Sequence, residues 1–204
     1  MTAYVHDALS EMIMSRKLRA GDRLVEQKLA HQLSSSRTPL REAMQRLEGE
    51  GLLRKTANRS YVVRQVDMRE YLQSLRVRKI LEAEAAALAA GRVSGEALAE
   101  ARESVLALEK LTPYDTQAHW ASDDMVHGLF LDACGNTIMA DILRDLRVTT
   151  RLFEIAQLAE RLGPDSREHL AILDALERGD SEGARKAMAD HAQSLFDFAI
   201  GTIS

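Results

Sequence analysis

Apolar positions recur at helical spacing through most of the chain. Residues from about Tyr4 to Ser15 carry a helical period, Gly21-Asp22 punctuates the next loop, and a second helix is predicted from about Val25 to Leu33. Ser34-Ser35-Ser36 supplies helix-start residues, and Pro39 falls in the first turn of a third helix, where its missing N–H does little harm. That helix is predicted to run to about Gly49. Leu40, Ala43, Met44 and Leu47 follow the i, i+3, i+4, i+7 rule, which puts Arg37, Arg41, Gln45 and Glu48 on the opposite, wet face. Leu52-Leu53-Arg54 and Tyr61-Val62-Val63 are short strand-compatible runs around the polar Thr56-Ala57-Asn58-Arg59-Ser60, the pattern of a two-stranded hairpin.

From about Met68 onward the helical period is almost continuous. Breaks are predicted near Gly91-Arg92-Val93-Ser94, Leu111-Thr112-Pro113, Gly135-Asn136, Gly163-Pro164 and Gly179-Asp180, which gives about six helices. The expected fold class is therefore mainly α: a winged helix-turn-helix with a small β-hairpin wing over residues 1–66, then an all-α bundle over 67–204. Aromatics at 4% and only three prolines in 204 residues agree, since a large β-sandwich or barrel needs more of both. No run approaches the eighteen apolar residues of a membrane span, and no basic segment followed by an apolar signal core opens the chain. A cytoplasmic protein with no membrane partner is the expectation. The single cysteine, Cys134, forbids an internal disulfide and a zinc finger, so a metal site must rest on His and carboxylate.

Charge divides the chain in the same place as the pattern does. The formal net charge is −4, yet residues 1–66 hold twelve Lys/Arg against seven Asp/Glu, a net +5, leaving fifteen against twenty-four, −9, in the rest. A basic head can approach phosphate while an acidic body stays in solvent or meets another subunit. Arg16, Lys17, Arg19 and Lys28 add to that positive charge.

Within the bundle, polar residues interrupt apolar stripes. Trp120, Asp123, His127, Phe130 and Cys134 alternate by three and four, so Asp123 and His127 sit where core residues belong. His169 lies in line with Ile172, Leu173 and Leu176, and His191 with Ala184, Ala187, Met188 and Leu195. Buried imidazoles and an unpaired buried carboxylate are costly, so several on inward faces invite a shared partner. Asp123 and His127 are one turn apart, with Cβ atoms about 5–6 Å from one another, close enough to reach one ion. His169 and His191 could close the set. Three imidazoles and one carboxylate suit zinc, nickel, cobalt or manganese better than calcium. The alternative is that His169 and His191 are satisfied core histidines and Asp123 pairs with an arginine such as Arg78. His119 is one position off the stripe, and Cys134 reads as an inert core thiol; both fall outside the ligand set.

Ser36-Arg37-Thr38-Pro39-Leu40-Arg41-Glu42-Ala43-Met44-Gln45-Arg46-Leu47-Glu48-Gly49-Glu50-Gly51-Leu52 resembles the recognition-helix signature of GntR-type transcriptional regulators. The bundle is similar to the FCD effector domain of the FadR subfamily, through Arg78-Lys79-Ile80-Leu81-Glu82, Asp123-x-x-x-His127 running into Gly135-Asn136, His169-x-x-Ile172-Leu173-x-Ala175 and Met188-x-x-His191. In the metal-binding branch of that subfamily one Asp and three His at these motif positions are the ligands, which implies Asp123, His127, His169 and His191. The metal histidines are absent as a set from the acyl-CoA-binding branch, so the resemblance argues against a fatty-acyl-CoA effector. Wings of the family often carry Arg-Gly at the tip, whereas here Arg59 is followed by Ser60, which implies a different backbone at the tip.

If the third helix enters the major groove of operator DNA, Arg37 and Arg41 are placed for base edges or phosphates, Gln45 for adenine or phosphate, and Arg46 and Arg59 for phosphates. Ser36 and Thr38 can cap the helix and bond the DNA backbone. A single winged domain reads few base pairs, so a homodimer held largely through the bundle is expected. The resemblance implies a small organic-acid effector at the metal, with an arginine in the pocket. Arg78 is the first candidate, its alternative a salt bridge to Glu82 or Asp123; Asn136 and Arg144 are further candidates. The leading expectation is a metal-dependent, ligand-responsive regulator, a repressor more than an activator. Its rivals are a hydrolase with Glu82 or Glu168 as general base, and a regulator whose metal is only structural.

Overall fold

The computed structural model describes residues 1–154 and 158–201. Their contacts divide them into two compact units, one of residues 1–70 with 147–153 and one of 71–146 with the described residues from 154 on.

The first unit packs α1 (Thr2–Met14), α2 (Glu26–Gln32) and α3 (Arg37–Gly49) beside a hairpin of β1 (Leu53–Lys55) and β2 (Tyr61–Val63). Val5, Leu9 and Ile13 of α1 repeat every four residues and meet Leu29 of α2 and Leu40, Ala43, Met44 and Leu47 of α3 in one apolar core. Burying each of these large side chains contributes about 1.5–3 kcal/mol. Leu53 and Val63 are cross-strand partners facing that core, while Arg54 opposite Val62 faces outward. The hairpin was predicted with its first strand at 52–54. Leu52 instead ends the turn out of α3, its N–H donating to the Leu47 carbonyl at 2.9 Å, and pairing starts one residue later. Residues 147–153, which a single cut after residue 66 would assign to the bundle, belong to this first unit, with Val148 and Leu152 packed on its core.

Ser36 stands at the start of α3 in extended conformation, but its side chain makes no capping bond, contrary to the expected cap. The neighbouring Ser35 hydroxyl donates to the Ser36 carbonyl instead, at 3.2 Å. Serine and threonine at this corner thus leave the first-turn N–H groups of α3 without a side-chain cap.

The second unit comprises α4 (Met68–Ala89, from Tyr71), α5 (Gly95–Leu108), α6 (Thr116–Ala133), α7 (Thr137–Glu154, to Leu146), α8 (Leu158–Glu177) and α9 (Ser181–Gly201). Ala83, Ala85, Ala86, Ala87 and Ala89 of α4 are buried, and such small side chains let neighbouring helices approach closely. Leu98 and Val105 of α5, Val126 and Phe130 of α6, Ile172, Leu173 and Leu176 of α8, and Met188 of α9 complete the core. Helix starts are capped by local acceptors. Ser94 Oγ accepts from the Ala97 N–H, Asp115 from Gln117 and Ala118, and Asn136 Oδ1 from Met139. After α4 and α8 the chain turns at Gly91 (φ 73°) and Gly179 (φ 64°), and a Cβ on Gly91 would meet the Gly179 Cα at 3.5 Å.

One predicted break is absent. Pro164 lies inside α8, not at its start. Proline forfeits one helical hydrogen bond, yet the helix continues through it, with Arg161 and Asp165, one turn apart on either side, forming a buried ion pair at 2.6 Å. Among the described residues no helix is long and apolar enough to cross a membrane.

Candidate metal centre and nucleic-acid interface

Helical spacing on α6 puts Asp123 and His127 on one inward face, and α8 and α9 bring His169 and His191 to the same point. One donor atom from each of the four lies within 4.8 Å of every other. The three imidazoles are buried, with ring centroids 5.5 Å apart for His127 and His169, 5.4 Å for His127 and His191, and 4.8 Å for His169 and His191. Asp123 Oδ1 sits 3.6 Å from His127 Nε2 and 3.5 Å from His169 Nε2. Two ligands of one ion at bond lengths of about 2.0–2.2 Å lie at most about 4.4 Å apart, so a few tenths of an ångström of closure would bring all four within reach.

Two carboxylates outside the tetrad orient its rings. His127 Nδ1 donates to Glu82 Oε1 at 3.2 Å, and His191 Nδ1 donates to Glu168 Oε2 at 2.8 Å. An ionised carboxylate can only accept, so each bond fixes the proton on Nδ1 and leaves the Nε2 lone pair facing inward. The buried Nε2 atoms of His169 and His191 make no hydrogen bond. Orphaned imidazole nitrogens beside a carboxylate are the donor set of a borderline transition-metal ion.

Each orienting carboxylate is backed by an arginine. Arg78 Nε lies 3.2 Å from Glu82 Oε2, one turn along α4, with both side chains buried. Arg161 donates to Glu168 at 2.8 Å, to Asp165 through Nε at 3.0 Å and Nη2 at 2.6 Å, and to Ser194 at 2.9 Å, so every nitrogen of its guanidinium is engaged. Asp165 also lies 3.5 Å from His119 Nε2, whose Nδ1 bonds the Tyr114 hydroxyl at 2.9 Å.

The charges follow from these contacts. Burial, reinforced by the neighbouring His191, holds His169 well below the ordinary histidine value, so it is neutral and able to ligate. Burial alone would raise Glu168, but the bonds from His191 and Ser194 and the charge of Arg161 outweigh it and keep the carboxylate ionised. Asp165 is likewise depressed: burial opposes, and the His119 bond together with the surrounding positive charge prevails. Burial drives the Tyr114 hydroxyl up to about 12.

The four residues singled out as ligands thus come together, while the effector candidates separate. Arg78 is buried against Glu82, the pairing foreseen as its alternative. Asn136 is exposed and caps α7, and Arg144 is exposed and paired with Asp132 at 2.5 Å and Asp141 at 3.0 Å. Cys134 is buried, its thiol 3.2 Å from the Leu131 carbonyl, as an inert core thiol would be. Arg161 was missed in the sequence, although Arg161, Asp165 and Glu168 at spacings of four and three signalled one polar face on α8.

On the first unit Arg37, Thr38, Arg41, Gln45 and Arg46 are all exposed along α3, with Ser36 at its start. Arg41 Nε donates to Glu26 Oε2 at 2.9 Å, and Arg46 lies 3.8 Å from Glu50. At the wing tip Thr56 bonds Ser60 through backbone and side chain, and Arg59 takes the left-handed conformation at φ 57°. The tip without glycine therefore turns at Arg59 itself, which stays exposed.

The model for bacterial regulatory proteins of the gntR family matches residues 2–63, and the FCD domain model matches residues 73–194. The chain belongs to the GntR family. This GntR regulator is 30% identical over 187 residues to the Nta operon transcriptional regulator of Aminobacter aminovorans, covering 91% of this chain and 88% of that one. It is 30% identical over 209 residues to the HTH-type transcriptional regulator McbR of Escherichia coli (strain K12), covering 95% and 90%. The solved structure of E. coli McbR/YncC superposes with a TM-score of 0.78 at 26% identity, over 100% of this chain and 98% of that one. The relatives of this GntR protein are transcription regulators and not enzymes, so its helix-turn-helix is a DNA-binding element and its tetrad lies in an FCD domain.

Proposed function

We propose that this GntR regulator is a metal-dependent, ligand-controlled repressor of the FadR subfamily. Asp123, His127, His169 and His191 would hold a divalent transition metal, whether zinc, nickel, cobalt or manganese. The single observation that carries this reading is the convergence of their donor atoms to within 4.8 Å, with the buried Nε2 atoms of His169 and His191 lacking hydrogen bonds. Such an ion, when bound, acts as a Lewis acid on an incoming oxygen donor. A small organic acid would dock there through its carboxylate, with buried Arg78 supplying charge beside Glu82. Asn136, which caps α7, and Arg144, which is exposed beside Asp132 and Asp141, are weaker candidates for contact with that acid.

In the helix-turn-helix unit, Arg37, Arg41 and Gln45 would reach base edges of operator DNA, and Ser36, Thr38, Arg46 and Arg59 its phosphates. A homodimer would set the spacing of two half-sites. Effector binding would change that spacing through the bundle, and coupling free energies of this kind are typically about 1–3 kcal/mol, or about 5–150-fold in DNA affinity. A hydrolytic role for Glu82 or Glu168 as base is disfavoured by their contacts, since each is committed to an imidazole and an arginine.

The test is a thermal-shift screen of organic acids on metal-loaded protein, followed by DNA binding with and without the acid that stabilises most. A ligand present at 100 times its Kd stabilises the native state by about 2.7 kcal/mol. The reading predicts that the acid loosens DNA and that chelation removes the acid's effect. An acid effect that survives chelation contradicts it, and a chain whose DNA affinity ignores every acid carries a purely structural metal.

A further inference from the structure

Of the three arginines on α3, one has its guanidinium held. Arg41 donates through Nε to Glu26 Oε2 at 2.9 Å, and among the described residues this is its only polar partner. Among the described residues Arg37 makes no ion pair, and Arg46 reaches Glu50 only at 3.8 Å. The pair is not an internal stabiliser of the core: the Arg41 side chain is 63% exposed and that of Glu26 31%. Ion pairs so exposed are worth little to stability. Glu26 sits in the first turn of α2 and also lines a cleft of about 460 Å3 with Arg23, just before that helix, and with Asn58 and Arg59 of the wing. A carboxylate among the cations of a phosphate-facing surface weakens attraction to every DNA sequence, so its presence there calls for a compensating role.

The guanidinium geometry supplies one. Its donors form two edges, and binding Nε fixes the plane while leaving the two terminal Nη groups as a parallel pair pointing away from Glu26. That pair matches the O6 and N7 acceptors that guanine alone presents together in the major groove. A free arginine would serve phosphate or base indifferently, whereas a tethered one offers a single edge at reduced entropic cost.

We propose that Glu26 is a positioning residue for Arg41, holding Nε so that the terminal donors read a guanine in the operator. The inference rests on the DNA-binding reading of α3 and goes beyond it by naming what sets sequence preference.

The test uses full-length protein. Wild type first selects duplexes from a pool with a randomised centre; affinities for the best selected duplex and for unselected pool DNA are then measured at one salt concentration by fluorescence anisotropy. Selected duplexes should share a guanine whose replacement costs wild type, but not Arg41→Ala, most of its preference. Glu26→Ala should lower the ratio of selected to unselected affinity about tenfold while strengthening unselected binding. Glu26→Gln, whose amide oxygen still accepts from Nε, should restore most of the ratio. Glu26→Ala on an Arg41→Ala background should leave it unmoved. If both Glu26 variants tighten binding to both pools equally, Glu26 is only a repelling charge and the proposal falls. If wild type binds no duplex even at low salt, the DNA reading of α3 falls first, and this inference with it.

Discussion

His191 donates through Nδ1 to Glu168 Oε2 at 2.8 Å, and that single bond decides which of its two nitrogens faces the tetrad. Glu168 is in turn held by Arg161 at 2.8 Å, so the ring orientation of a residue on α9 is set by two residues of α8. Removing such an orienting carboxylate typically lowers metal affinity by about 10–100-fold. We therefore expect Glu168→Ala to weaken metal retention by that factor, read by competition with a fluorescent chelator, with helical content unchanged. Asp141→Ala, which removes an exposed partner of Arg144, should leave metal retention as it is.

Arg161 tests the stability side of the same network. Its side chain and that of Asp165 are both buried, and Glu168 is the third member of the cluster. Arg161→Met would leave Asp165 and Glu168 in low dielectric without their cation, and breaking a buried pair in this way costs about 3–5 kcal/mol. Urea denaturation should show the midpoint falling accordingly. A midpoint within experimental error of wild type would mean that water reaches Asp165.

His6 ties α1 to the end of α3. Its Nε2 lies 2.8 Å from Glu50 and its Nδ1 2.9 Å from Asp7. Burial opposes its protonation, but the bonds to Asp7 and Glu50, with the charge of Glu50, outweigh that and raise its pKa above the ordinary 6.5. A folded-state value above the unfolded one gives stability that is complete below pH 6.5 and is lost as pH rises through the folded value. Wild type should therefore lose more stability than His6→Gln on going from slightly acid to slightly alkaline pH, measured as urea midpoint against pH. Parallel curves for the two proteins would remove the tie.

Met44 is fully buried in the core of the first unit. Met44→Ala should cost about 2–5 kcal/mol through lost transfer energy and the cavity left behind. The expected signature is a lower midpoint for the transition of the helix-turn-helix unit, followed by near-ultraviolet circular dichroism and by loss of DNA binding at the same denaturant concentration.

Much of this architecture is legible in the residue pattern because helix faces are local. Leu40, Ala43, Met44 and Leu47 need only their own spacing to declare a buried stripe, and Asp123 and His127 declare themselves by breaking one. The tetrad was readable for the same reason, since each of its members interrupts an apolar row on its own helix. What spacing cannot carry is pairing between helices. From sequence Glu82 and Glu168 read as candidate general bases, whereas their contacts with His127 and His191 run between helices, as does that of Arg144, a weaker effector candidate than Arg78, with Asp132. Pro164 suggests a break because proline's usual effect is local, yet the helix runs through it, with the buried Arg161–Asp165 pair straddling it. Ser36 misled in the opposite sense, having the right identity and position for a cap without making the bond.

The account stands or falls on the four inward donors sharing one cation. Elemental analysis of full-length protein by inductively coupled plasma mass spectrometry, after exposure to zinc, nickel, cobalt or manganese and exhaustive dialysis, measures this directly. The predicted result is a single divalent ion retained per chain by wild type and lost from both His169→Ala and His191→Ala. Retention at the wild-type level in those two variants would contradict it.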